Sequence, residues 1–139
     1  MQLSVSELLK KAAKKSKVAE RAEYLLKHDN PTMRKILKYT FSPKITFNML
    51  PEGAPPYKPS DGIDVENVLY AETRRLYLFT DGGNPDLKNV RKEALFIEIL
   101  EAVDPEDAKL LIMMKDKQLG SEYKGITKAV LEKAYPGLV

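Results

Sequence analysis

Apolar residues along the 139-residue chain recur mostly at helical spacing, interrupted by short polar or proline-bearing stretches. Ser4-Val5-Ser6-Glu7 has the form of a capping box, in which a serine oxygen and a glutamate satisfy free N–H groups at a helix start. Val5, Leu8, Leu9, Ala12 and Ala13 then share one face, with Lys10, Lys11, Lys14 and Lys15 on the other. Ser16 restarts a second helix that carries Val18, Ala19, Ala22, Leu25 and Leu26 and runs to His28. Asn30-Pro31 caps a third, with Met33, Ile36, Leu37, Thr40 and Phe41 inward and Arg34, Lys35 and Lys38 outward, ended by Ser42-Pro43. Ile45, Phe47 and Met49 alternate with polar residues as a strand would. No second strand is legible to pair with them, so an extended or single-turn segment pressed on the helices is expected.

Leu50 to Gly62 holds four of the nine prolines and is irregular. It is too apolar at Pro55, Pro56 and Tyr57 for a free linker, so it is expected to pack across the surface. Asp64 opens a long fourth helix through Phe79, with Val65, Val68, Leu69, Glu72, Leu76 and Phe79 as its seam and Tyr70 and Tyr77 alongside. After the loop Asp81–Pro85, a fifth helix over about 87–102 carries Val90, Ala94, Leu95, Ile97 and Ile99.

The last third is the most strongly punctuated. Asp104 can accept from the first free N–H groups, and Pro105 presets the first helical φ. Glu106 and Asp107 place negative charge at the positive end of the helix dipole, which accounts for this acidic cluster. Leu110, Leu111, Ile112, Met113 and Met114 make the helix apolar on most sides, and Leu111, Ile112 and Met114 are expected among the most buried residues. Gly120 offers a C-terminal cap, Thr127 an N-cap flanked by Ile126 and Val130/Leu131, and Tyr135-Pro136-Gly137 a stop. The sum is an all-α single domain over 1–139 of six or seven helices.

Charge changes this picture. Net charge is +3, but residues 1–50 hold 11 Lys/Arg against 4 Asp/Glu, and residues 51–139 hold 12 against 16. A basic first half suits a polyanion; a solvated lysine face reads the same way. The apolar face of the first helix has no aromatic residue, which argues against a membrane-surface helix. There is no cysteine and His28 is the single histidine, so thiolate and imidazole metal sites are excluded and no cofactor is expected. No apolar run reaches the roughly eighteen residues of a membrane span, and the N-terminus has its lysines after its apolar residues, unlike a leader. A cytoplasmic protein is expected. Lys58-Pro59-Ser60-Asp61-Gly62 approaches the lysine motif of nucleotidyltransferases, K-x-D-G, but is one residue too long, and no nucleotide pocket follows. With no nucleophile and oriented base in view, no enzymatic activity is expected.

Met113-Met114-Lys115-Asp116, then Gly120, then a short helix ending Tyr135-Pro136-Gly137-Leu138-Val139 carry a resemblance. Over Val18 to Val139 the chain resembles the N-terminal DNA-binding domain of ATP-dependent DNA ligases of large tailed phages. Their pattern is M-M-R-D, a glycine four residues on, and a helix ending W-P-G-L-I. Tyr39-Thr40-Phe41-Ser42, Phe47 and Pro51 are weaker echoes. The phrases Leu50–Pro59 and Lys115–Lys117 are also similar to those of small stand-alone tailed-phage proteins of unknown role.

The ligase resemblance implies an all-helical fold that binds the minor groove of duplex DNA beside a nick, through helix ends and glycine-bearing turns. On this chain it implies Lys115, Lys117, Gly120, Lys124, Gly125 and Lys128 as nucleic-acid-binding residues. Lysines would contact phosphate without reading sequence, and the glycines would let backbone approach it. Lys115 and Lys124 are expected to be exposed, and Lys10 and Lys14 to matter less. Lys115 replaces arginine, Leu119 replaces cysteine, the loop 50–62 is longer, and no counterpart of the ligase catalytic domains is present. The implied role is a phage accessory protein on intact or nicked duplex DNA in the host bacterial cytoplasm. Two alternatives stay open. One is an interaction module for a host or phage replication or transcription protein, using the 50–62 loop or the basic N-terminal helix. The other is an oligomer built on exposed aromatic residues.

Overall fold

A computed structural model describes residues 3–47, 50–61 and 68–138. They form seven α-helices and two 3-10 segments, with no strand among them. The α-helices are α1 (Val5–Ala13), α2 (Val18–Lys27), α3 (Pro31–Phe41), α4 (Val68–Glu72), α5 (Asn89–Ala102), α6 (Pro105–Asp116) and α7 (Lys128–Ala134). The chain is all-α, as the periodicity predicts. Met49, Gly62, Asp64, Val65 and Val139, which entered the sequence reading, lie outside the described residues.

Helix α6 is the centre. α1, α3 and α5 all pack against it, α2 packs on α1, and α7 lies on α2. Its inward stripe is Asp107, Ala108, Leu110, Leu111, Met114 and Lys115, all buried, while Ile112 is only half-buried. Leu9, Leu25, Ile36, Leu37, Phe79, Phe96 and Leu100 complete a continuous core. Each such side chain contributes about 1.5–3 kcal/mol relative to exposure. Phe79 and Phe96 meet edge to face, with centroids 5.1 Å apart.

The caps form where their side chains can reach the first free N–H groups. Ser4 Oγ accepts from the Glu7 N–H at 3.3 Å, Asn30 from Met33 at 2.7 Å, Asp104 from Glu106 at 2.9 Å and Thr127 from Val130 at 3.4 Å. Ile126, Val130 and Leu131 are buried beside the last cap, as its flanking residues predict.

Six expectations are corrected. The helix expected through Phe79 is α-helical only over Val68–Glu72 and continues as a 3-10 segment, Thr73–Phe79. Thr73 donates back to the Leu69 carbonyl at 2.8 Å, and its hydroxyl meets that of Thr32 at 2.7 Å. Leu76 and Phe79, three apart and both fully buried, align in a coil of three residues per turn.

On α2 only Ala22 and Leu25 are buried, because α1 and α7 cover a narrow strip; Val18 and Leu26 are exposed, and Lys17 rather than Ser16 stands at the N-cap. The buried stripe of α5 is Lys92, Leu95, Phe96, Ile99 and Leu100, which leaves Val90 83% exposed. Helix α6 is capped by Lys117 at φ +58, three residues before Gly120. Ile112, expected among the most buried residues, sits on the flank of the α6 stripe.

The proline-rich loop packs down as expected. Gly53 (φ +84) donates to the Asp116 carboxylate at 3.2 Å, Lys58 N–H to Glu101 at 2.7 Å, and Ser60 Oγ to the Val103 carbonyl at 3.0 Å. No helix among the described residues is long and apolar enough to cross a membrane.

Candidate nucleic-acid interface

The six residues implied by the resemblance separate into two groups. Lys115 is 5% exposed. The α6 register places it one position after Met114 and four after Leu111, on the covered side, so the expectation of exposure is corrected. Its ammonium is held between the Asp116 carboxylate at 2.5 Å and the Pro51 carbonyl at 2.7 Å. Lys117 turns back from the left-handed cap and donates to the carbonyls of Ser42 and Ile45. A cation there complements the carbonyls of the segment that follows α3, and burial lowers its pKa. Both lysines tie the extended segment and the proline loop to the end of α6.

Gly120 and Gly125 differ as well. A Cβ at Gly120 would meet only the flexible Met113 methyl at 3.2 Å. One at Gly125 would fall 2.5 Å from the Ala13 carbonyl oxygen and 2.8 Å from Arg21 Nε. The missing side chain of Gly125 therefore admits protein backbone, which corrects the expectation that it opens a path for phosphate.

That close approach has an electrostatic result. It seats the turn carrying Lys124 and Lys128 against the α1–α2 turn, which carries Lys14, Lys15 and Lys17. Within the α1–α2 turn, Arg21 donates to the Lys15 carbonyl at 2.8 Å, and the Lys15 ammonium lies 5.4 Å from the Tyr24 ring centroid. Among the described residues, Lys14, Lys17, Lys124 and Lys128 are exposed and have no ion-pair partner. Lys10 does not belong to this face. It is paired with Glu106 at 2.8 Å and Glu122 at 3.3 Å, and its hydrogen bond to Glu106 raises its pKa.

Beside this face a cleft of about 390 Å³ opens between the end of α3 and residues 117–128. Phe41, Leu119, Tyr123 and Ile126 line it, with Lys117, Lys124 and Lys128 and no carboxylate. A smaller cleft of about 170 Å³ under the proline loop is lined by Phe96, Glu93 and Lys115. No group of three potential metal-ligating residues converges among the described residues.

Sequence reasoning missed Ala13 and Arg21 as neighbours of Gly125. Only the small residue at Gly125 hinted at a close approach, and nothing in the chain said to which helix.

No curated protein and no solved structure matches the chain. A family model does match, over residues 8–121, from within α1 to just past α6. That match covers well over half of the sequence, and the chain belongs to a family of unknown function (DUF6433).

Proposed function

We propose that the protein is a non-enzymatic phage accessory protein that holds duplex DNA, intact or nicked, through its phosphates in the host cytoplasm. The observation that carries this reading is the seating of Gly125 on Ala13 and Arg21, which sets the turn holding Lys124 against the turn holding Lys14 and Lys17, all three exposed and without an ion-pair partner among the described residues. Lys124 and Lys128 keep the role implied by the ligase resemblance. Lys14 and Lys17 join them, and Lys115 and Lys117 become the framework beneath. Lysine ammoniums are point charges suited to phosphate and indifferent to base sequence.

Fluorescence anisotropy on intact and nicked duplexes tests it. Each neutralised phosphate lowers the slope of log K against log salt by about 0.9, so four lysines give a slope near −3 to −4. Raising salt from about 50 to 200 mM should weaken binding on the order of 100-fold. Lys14→Glu with Lys17→Glu, and Lys124→Glu with Lys128→Glu, should each flatten the slope by about 2. Absence of binding to either duplex at low salt would refute the reading.

The alternative, an interaction module for a host or phage replication protein, draws on the cleft between the proline loop and Phe96. Partners that survive nuclease treatment in a pull-down from infected cells would favour it.

A further inference from the structure

We propose that the cleft beside the basic face seats one unpaired nucleobase, so that DNA with a single-stranded end binds more tightly than blunt duplex. The inference rests on the DNA-binding reading and narrows its substrate. Two properties of the cleft carry it. Its walls include the Phe41 ring and the apolar side chains of Leu119 and Ile126, which offer nothing to a hydrated phosphate and much to a flat aromatic group. Its lining is one-signed, with Lys124 and Lys128 and no carboxylate.

The occupant that fits is an aromatic ring attached to an anionic backbone, with the ring inside and the phosphates at the lysines. At about 390 Å³ the cleft is within the roughly 300–1,000 Å³ of small-ligand sites. A base still paired in duplex would have to be unstacked first, at a cost that opposes entry. A base at an overhang has no such cost. The position of the lysines makes the choice coherent, because Lys124 and Lys128 both line the cleft and would meet the phosphates of a strand whose base lies inside.

The test uses the full chain and three labelled DNAs: a blunt duplex, the same duplex with a three-nucleotide overhang, and one whose overhang lacks its bases. Stacking of one base on an aromatic side chain corresponds to about 5- to 150-fold in affinity. The base-bearing overhang should exceed the base-free one by a factor in that range. A 2-aminopurine placed in the overhang should change its emission on binding. Leu119→Ala should remove most of that preference while changing blunt-duplex affinity less than about twofold.

Equal affinity for the two overhangs, with no 2-aminopurine response, would overturn the base site and leave phosphate binding intact. Failure of all three DNAs to bind would overturn the DNA reading and this inference together. If a labelled peptide alternating glutamate and phenylalanine displaced nothing from DNA yet bound the cleft with a Leu119-dependent affinity, the cleft would belong to a protein segment and the proposal would fall.

Discussion

Lys115 and Lys117 on one side of a turn, and Lys124 and Lys128 on the other, are the same residue type within fourteen positions, yet they do opposite things. The first pair points inward and donates to Asp116, Pro51, Ser42 and Ile45. The second pair stands in solvent. What separates them is the register of α6 and the carbonyls of Ser42 and Ile45 just after α3, which hold the Lys117 ammonium. Counting lysines in a turn therefore overstates the charge it presents. The comparison also explains how a basic stretch can serve as structure at one end and as surface at the other.

The largest effect that can break this contrast is on stability. Lys115→Ala strips a buried ammonium from a carboxylate and a carbonyl, and removing one partner of such a pair costs about 3–5 kcal/mol. Urea denaturation should show it; a loss no larger than that of Lys124→Ala would mean the two lysines are equivalent after all.

The other inward charge of α6, Asp107, sharpens the point through pH. It is fully buried, accepts from the Ser6 N–H at 3.0 Å and leaves its second oxygen without a partner. Burial chiefly raises its pKa from 3.8 to about 6. A carboxyl whose folded pKa lies above its unfolded one binds its proton more tightly when folded. It therefore costs stability as pH rises from about 4 to about 6, by up to about 3 kcal/mol. Thermal melts of the protein and Asp107→Asn across that window should diverge, with the unmodified protein gaining as pH falls. Parallel curves would mean that Asp107 titrates normally.

Smaller again is Gly125→Ala. Its Cβ would lie 2.5 Å from a backbone oxygen, so one turn must move, at about 1–3 kcal/mol. If the basic face binds DNA, the same shift should weaken binding by moving the Lys124 turn away from the α1–α2 turn, whereas Gly120→Ala should be nearly silent in both measurements. Smallest of all, Lys124→Glu should alter stability by no more than about 0.5 kcal/mol while weakening binding to DNA. A large loss of stability there would erase the distinction from Lys115.

The legible parts of the molecule were those decided locally. Ser4, Asn30, Asp104 and Thr127 cap their helices because each needs only N–H groups two or three residues away. Registers were less legible. On α5 the apolar Val90 is exposed while Lys92 is buried, because the side facing α6 is set by the packing partner and not by hydropathy alone. The 3-10 segment after Glu72 depends on Thr73 meeting Thr32, a pairing across 41 positions. The lysine turn was readable as a turn, but its inward half was not, since the carbonyls that capture Lys117 lie 72 and 75 residues away.

The packing of α7 on α2 has a consequence for how the molecule opens. The main helix contacts of α2 are with α7 and α1, while α6 packs with α3, α5 and α1, so the α2–α7 layer can detach as a sub-global unit before the whole unfolds. Tyr135 is its outer catch, donating to Asp29 at 2.8 Å and to the Leu25 carbonyl at 3.1 Å. Amide hydrogen exchange should then be faster in α2 and α7 than in α6. A ligand bridging the α1–α2 turn and Lys128 closes that layer, so its footprint would appear as slowed exchange well behind the surface it touches.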